Sequence, residues 1–159
     1  MDKKEEVLAK DVPETVEATV AEQKLAALLQ AMEAEKVNGL QVAEKTAARN
    51  ILTGNFLIEG QVVPMFVVLD NSVYSYIQVN IANLTAEQGK ACLKHLNELN
   101  ERYTMLKYAV NPNNTVILTC SVPAANDKFD PALVIALIDQ VKNQVTEEYA
   151  QLMKIIWNA

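Results

Sequence analysis

Lys107-Tyr108-Ala109-Val110, then Asn111-Pro112-Asn113-Asn114, then Thr115-Val116-Ile117-Leu118-Thr119-Cys120-Ser121-Val122-Pro123 decide how this chain folds. Two runs rich in β-branched and apolar residues flank four residues with turn chemistry, which is the signature of a hairpin. In the second run Val116, Leu118 and Cys120 fall on one face, and Ile117, Thr119 and Ser121 on the other. That alternation is the period of a strand. Pro123 lacks an amide hydrogen and ends the pairing.

Helices bracket this hairpin. Upstream, Thr85-Ala86-Glu87-Gln88 fits a capping box, in which hydroxyl and amide side chains satisfy the free end amides. The stripe behind it is Cys92, Leu96, Leu99 and Tyr103, with Leu93 and Asn100 beside it. An amide next to a buried stripe must be hydrogen-bonded, so Asn100 is expected to tie the helix end to nearby backbone. Downstream, Asp130-Pro131 pairs an N-cap with a proline at the first helical position. The stripe Val134, Ile138, Val141, Val145, Leu152 and Ile156 carries that helix to about Trp157, roughly 40 Å at ~1.5 Å per residue. This exceeds the width of a small five-stranded sheet, so part of the helix is expected to overhang and meet a partner. Met153 and Trp157 lie on a second apolar flank with Ile135. Glu148 interrupts the heptad-like positions, which favours packing on a sheet over a long coiled coil.

The amino-terminal half reads as a helix and a meander. Residues 1–13 are charged and weakly periodic, a tail ending near Pro13; residues 14–159 read as one domain. Ala18, Ala21, Leu25, Leu28, Leu29 and Met32 recur at helical spacing, and Asn38-Gly39 is the expected stop. Leu40 to Arg49 mixes strand alternation with helical composition and reads as short and irregular. Leu52, Phe56 and Ile58 alternate up to the turn Glu59-Gly60-Gln61. Val62 to Leu69 is a central strand, in which Pro64 must sit near the start or at a bulge. After Asp70-Asn71, Val73, Ser75, Ile77 and Val79 alternate against Tyr74, Tyr76 and Gln78. The predicted class is therefore α+β: a mainly antiparallel five-stranded sheet in the order α-β-β-β-α-β-β-α, with the helices on one face.

Composition limits the function. Of 159 residues half are apolar, and only four are glycine and five proline, so a real core is expected. The net charge is −6 with no cluster of Lys and Arg, which argues against nucleic acid. The charged start has no apolar signal core behind it, and no run approaches the ~20 apolar residues of a membrane span, so the cytoplasm is the expected compartment. Cys92 and Cys120 read as reduced, buried thiols.

Candidate chemistry is sparse. His95 is the single histidine, which excludes multi-histidine metal sites. Cys92 and His95 lie three apart on one helix, but Cys92 faces the core and no oxyanion-type loop accompanies them. Glu98, Glu101, Glu147 and Glu148 read as solvated, and Thr53-Gly54-Asn55 holds a lone glycine instead of a phosphate loop. No catalytic residue, metal site or cofactor is therefore expected. Tyr74, Tyr76 and Tyr108 suggest an aromatic sheet face with polar tips.

Leu96-Asn97 and Leu99-Asn100, the hairpin to Ser121-Val122-Pro123, and the closing helix with Tyr149 and Leu152 together resemble the YbjN-like family over roughly residues 50–157. The resemblance implies the fold of the small dimeric chaperones of type III secretion, and dimerisation. It supplies no catalytic residues, and the family is sometimes described as regulating sensory transduction. Asn111-Pro112-Asn113-Asn114 stands where that family would have an acidic–glycine turn, and the acidic amino-terminal extension is long. Taken together, the expected function is a non-enzymatic protein-interaction, chaperone or regulatory module, homodimeric, binding a protein or peptide client. The expected partner surface is Tyr74, Tyr76 and Ile77 with Met153 and Trp157. The alternative is a small-molecule sensor with a pocket between the sheet and the last helix.

Overall fold

A computed structural model describes residues 16–159. The expected tail over residues 1–13 lies outside them. The elements are α1 (Val20–Ala34), β1 (Leu40–Lys45), β2 (Arg49–Ile58), β3 (Gln61–Asp70), β4 (Tyr74–Asn83), α2 (Ala86–Arg102), β5 (Lys107–Val110), β6 (Thr115–Pro123) and α3 (Pro131–Trp157). The six strands form one antiparallel sheet in the order β1-β2-β3-β4-β6-β5.

The class is α+β, as the sequence predicts, but the sheet has six strands where five were expected. The extra strand is β1, in the stretch read as irregular. Pairing with β2 overrides the helical composition after Val42, with a register shift between Val42 and Glu44. Gly54 makes that pairing possible, because a Cβ there would collide with the Gly39 carbonyl oxygen.

Local rules account for most of the element ends. Thr19 and Glu22 form a capping box at α1, and Thr85 and Gln88 form the expected one at α2. The α1 helix stops at Ala34, before Asn38-Gly39: Lys36 takes a left-handed φ of 57°, and the Val37 amide donates back to Met32 O at 2.8 Å. Glu59 and Gly60 both have positive φ, the two-residue turn whose twist matches its strands. Pro64 ends the β3–β4 ladder, which runs only from Leu69↔Ser75 to Met65↔Val79.

The helices pack in one layer on one face of the sheet. Leu52, Val67, Ile77 and Cys120 form a fully buried row across β2, β3, β4 and β6 beneath that layer. The α3 helix lies buried from Val134 to Ile156, so the expected overhang is absent. Strands of ten residues, ~33 Å long, and α1 and α2 alongside cover its length.

One buried cation organises the α1 end. Lys24 is 3% exposed, and its ammonium donates to Asp70 O at 2.9 Å and Ser72 O at 2.7 Å. It thereby holds the β3–β4 turn against α1. Burial lowers its pKa, with nearby Asp70 opposing that shift.

Gly54→Ala should destabilise the fold by about 1–3 kcal/mol, the usual range for an added group with no space. A shift in the urea midpoint measures this. An unchanged midpoint would mean that β1 does not pass closely over Gly54.

Candidate functional site

The sheet face away from the helices is bare among the described residues. Strand register places its side chains in rows. One row is Glu44, Ile51, Val68, Tyr76 and Ser121; the next is Gln41, Thr53, Phe66, Gln78, Thr119 and Lys107. Ile51, Phe66, Val68, Tyr76, Gln78 and Asn80 line a shallow groove of about 240 Å³. Gln78 Nε2 donates to Asn80 Oδ1 at 3.0 Å, so one pair of amides at the centre is mutually satisfied. Leu57, Val62 and Tyr74 extend the apolar surface and are 69%, 62% and 58% exposed.

Charge is confined to the margins of this face. Arg49 and Glu44 pair at 3.0 Å beside β1, and Lys107 stands on β5 at the opposite edge. Asp70 closes the β3–β4 turn, accepting from Ser72 Oγ at 2.6 Å and from the Ser72 amide at 2.9 Å.

The five expected partner residues do not form one surface. Tyr74 and Tyr76 lie on the bare face. Ile77 does not: the period of two turns it under the helices, where it is fully buried. Tyr108, expected beside the other tyrosines, is also on the helix face and 3% exposed. Trp157 is 77% exposed and Met153 half-buried, but both belong to the end of α3. That end sits by the start of α2, where Gln88 Nε2 donates to Ile156 O at 3.4 Å. Tyr74 begins β4 and α2 follows its far end, so Trp157 and Tyr74 stand at opposite ends of the molecule.

A second polar centre joins α2, α3 and β5. Glu148, expected in solvent, is 8% exposed; its Oε1 accepts from Tyr103 OH at 2.9 Å and from Arg102 Nη1 at 3.1 Å. Its position, seven residues after Val141, puts it on the buried stripe, and this spacing was the signal that a partner was needed. Asn100 acts as expected: its Oδ1 accepts from the Tyr108 amide at 2.6 Å, and its Nδ2 donates to the Tyr108 carbonyl at 2.9 Å. Beside this cluster lies a cavity of about 390 Å³, between Met105, Cys120, Leu137, Val141 and Gln144.

The cluster is built to hold elements together. Cys92 Sγ lies 3.2 Å from Gly89 O and is fully buried, while His95 approaches Glu98 only at 4.0 Å. Both cysteines are free and buried, and burial raises both thiol pKa values. Among the described residues, no group of three or more His, Cys, Asp or Glu side chains is placed to hold a metal. No helix among them is long and apolar enough to cross a membrane.

Burial pushes the Tyr108 phenol up to about 12, against a weak hydrogen bond from Gln144. A raised folded value means that this group's contribution is intact below pH ~10 and is lost as the pH rises toward 12. Over that window the wild type should lose about 2 kcal/mol more stability than Tyr108→Phe, because one pH unit of difference between the folded and unfolded pKa is worth ~1.4 kcal/mol. Urea unfolding of both proteins at the two pH values measures the difference, and parallel losses would contradict it.

Comparison with protein-family models, curated proteins and solved structures finds no match to this chain.

Proposed function

We propose that this chain is a non-enzymatic protein-interaction module, chaperone-like or regulatory, that works in the cytoplasm as a homodimer joined through the bare sheet faces. One observation carries the reading. A six-stranded sheet has helices on one face only, and the centre of the other is uncharged and rich in Ile51, Phe66, Val68, Tyr76 and Ile117.

The dimensions support it. Six strands spaced ~4.8 Å apart and up to ~33 Å long give a face of roughly 800 Å². That matches the ~800 Å² each partner contributes to a standard interface. Two such sheets can stack ~10 Å apart, as in β-sandwiches. The α+β order is compatible with the type III secretion chaperone-like fold that the YbjN-like resemblance implies, with β1 added at one edge. The negative charge and absence of a basic cluster speak against nucleic acid.

Sedimentation equilibrium should find the wild type dimeric and Phe66→Lys monomeric with unchanged circular dichroism. Trp157→Ala should remain dimeric. A monomeric wild type, or a Phe66→Lys variant that still dimerises, would contradict the reading.

The cavity beside Cys120 and Gln144 favours a second reading, a small-molecule sensor with its pocket between the sheet and α3. A metabolite that raised the melting temperature of the wild type but not of a Val141→Trp variant would favour this reading.

A further inference from the structure

The sheet has an unfilled position at one edge. β6 pairs with β4 along its whole length, from Asn83↔Thr115 to Tyr74↔Pro123. On its other side β5 covers only Val116 to Thr119. The chain upstream of β5 does not continue the ladder: it turns at Tyr103–Leu106, where the Leu106 amide donates to Tyr103 O at 3.3 Å. Cys120 to Pro123 therefore have one open edge.

Register identifies the unused groups. The Asn111 amide donates to Thr115 O at 3.0 Å, so the backbone of Thr115 faces β5. Alternation turns Ile117, Thr119 and Ser121 the same way. The Ser121 N–H and C=O thus point into the gap, and neither has a backbone partner among the described residues. The carbonyl is met only by Cys120 Sγ, at 4.0 Å. A donor and an acceptor at strand spacing are what another backbone supplies.

Cavities flank this edge on both faces. The one of about 390 Å³ opens on the helix side between Cys120, Leu137, Val141 and Met105. Another, of about 310 Å³, opens on the bare side between Thr104, Lys107, Thr119, Ser121 and Pro123. A strand added in line with β5 sends alternate side chains into the two spaces. The first, which Arg102, Gln140 and Gln144 also line, takes an aliphatic group against Leu137 and Val141. In the second Lys107 is the sole charged residue, and it complements an acidic group.

We propose that an extended segment of a partner protein, alternating aliphatic and acidic residues, adds as a strand to Cys120–Pro123 of β6. The proposal rests on the interaction-module reading for its biological sense. It uses the backbone edge of β6, and its bare-side cavity borders the dimer face at Thr119, Ser121 and Lys107, so peptide binding and dimerisation are read separately.

The test uses the full chain and a fluorescein-labelled peptide of alternating Glu and Leu, read by fluorescence anisotropy. Ser121→Pro removes the outward N–H, which β4 does not use, and should weaken binding about tenfold or more, as expected for a lost main-chain hydrogen bond. Lys107→Glu should weaken the Glu-Leu peptide by a similar factor and create binding to a Lys-Leu peptide. Should Ser121→Pro fail to fold, the charge reversal at Lys107 stands alone as the test. Sedimentation of the same samples reports the dimer separately. The proposal is overturned if the wild type does not bind the Glu-Leu peptide, or if neither variant changes its binding. It is also overturned if binding emerges only after residues 1–15 are deleted, since the chain's own segment would then hold the edge. Binding that is lost with Phe66→Lys and spared by both edge variants would assign the peptide to the dimer face and overturn it as well.

Discussion

Six strands present two faces and three helices cover one of them. Everything else about this molecule follows from that imbalance. The helix layer buries Leu52, Val67, Ile77 and Cys120 to completion, which is the main source of stability here. On the opposite face Ile51, Phe66, Tyr76 and Ile117 are half-buried among their strand neighbours, with no helix over them, and Val68 is buried. An uncovered sheet face that sets these apolar side chains among Thr53, Gln78 and Thr119 is the physical reason to propose another polypeptide against it.

The polar interior serves the same layer. Lys24 and Asn100 satisfy backbone groups at strand ends, and Glu148 joins two helices. Lys24 caps two carbonyls of the β3–β4 turn, Asn100 imitates a strand neighbour for Tyr108, and Glu148 ties the end of α2 to the middle of α3. Hydrogen-bonded buried side chains favour one packing, and here Asn100 and Glu148 hold the chain where it leaves α2. That departure leaves the edge of β6 uncovered beyond Thr119.

The fold was legible wherever a local rule acts alone. Thr85 with Gln88, Asp130 with Pro131, and the turn at Asn111 to Asn114 each stand where the residues place them. β1 is hidden in the sequence because Ala43 to Ala48 has helical composition and only pairing with β2 makes it a strand; Gly54 is its one local sign. The candidate site was half legible. Alternation in β4 separates Tyr74 and Tyr76 from Ile77, so the strand's own period does not let the three share one surface. Trp157 was set apart by topology, which no local pattern reports. The open edge at Ser121 depends on β5 being shorter than β6, and that follows from where Asn100 and Glu148 anchor the chain.

We propose that a second copy of the chain covers the bare face. Hydroxyl-radical footprinting across a dilution series tests it most directly. Phe66 and Tyr76 should be protected at high protein concentration and become reactive on dilution, while Trp157 stays reactive throughout. Equal labelling of Phe66 and Tyr76 at every concentration would contradict a dimer joined through this face.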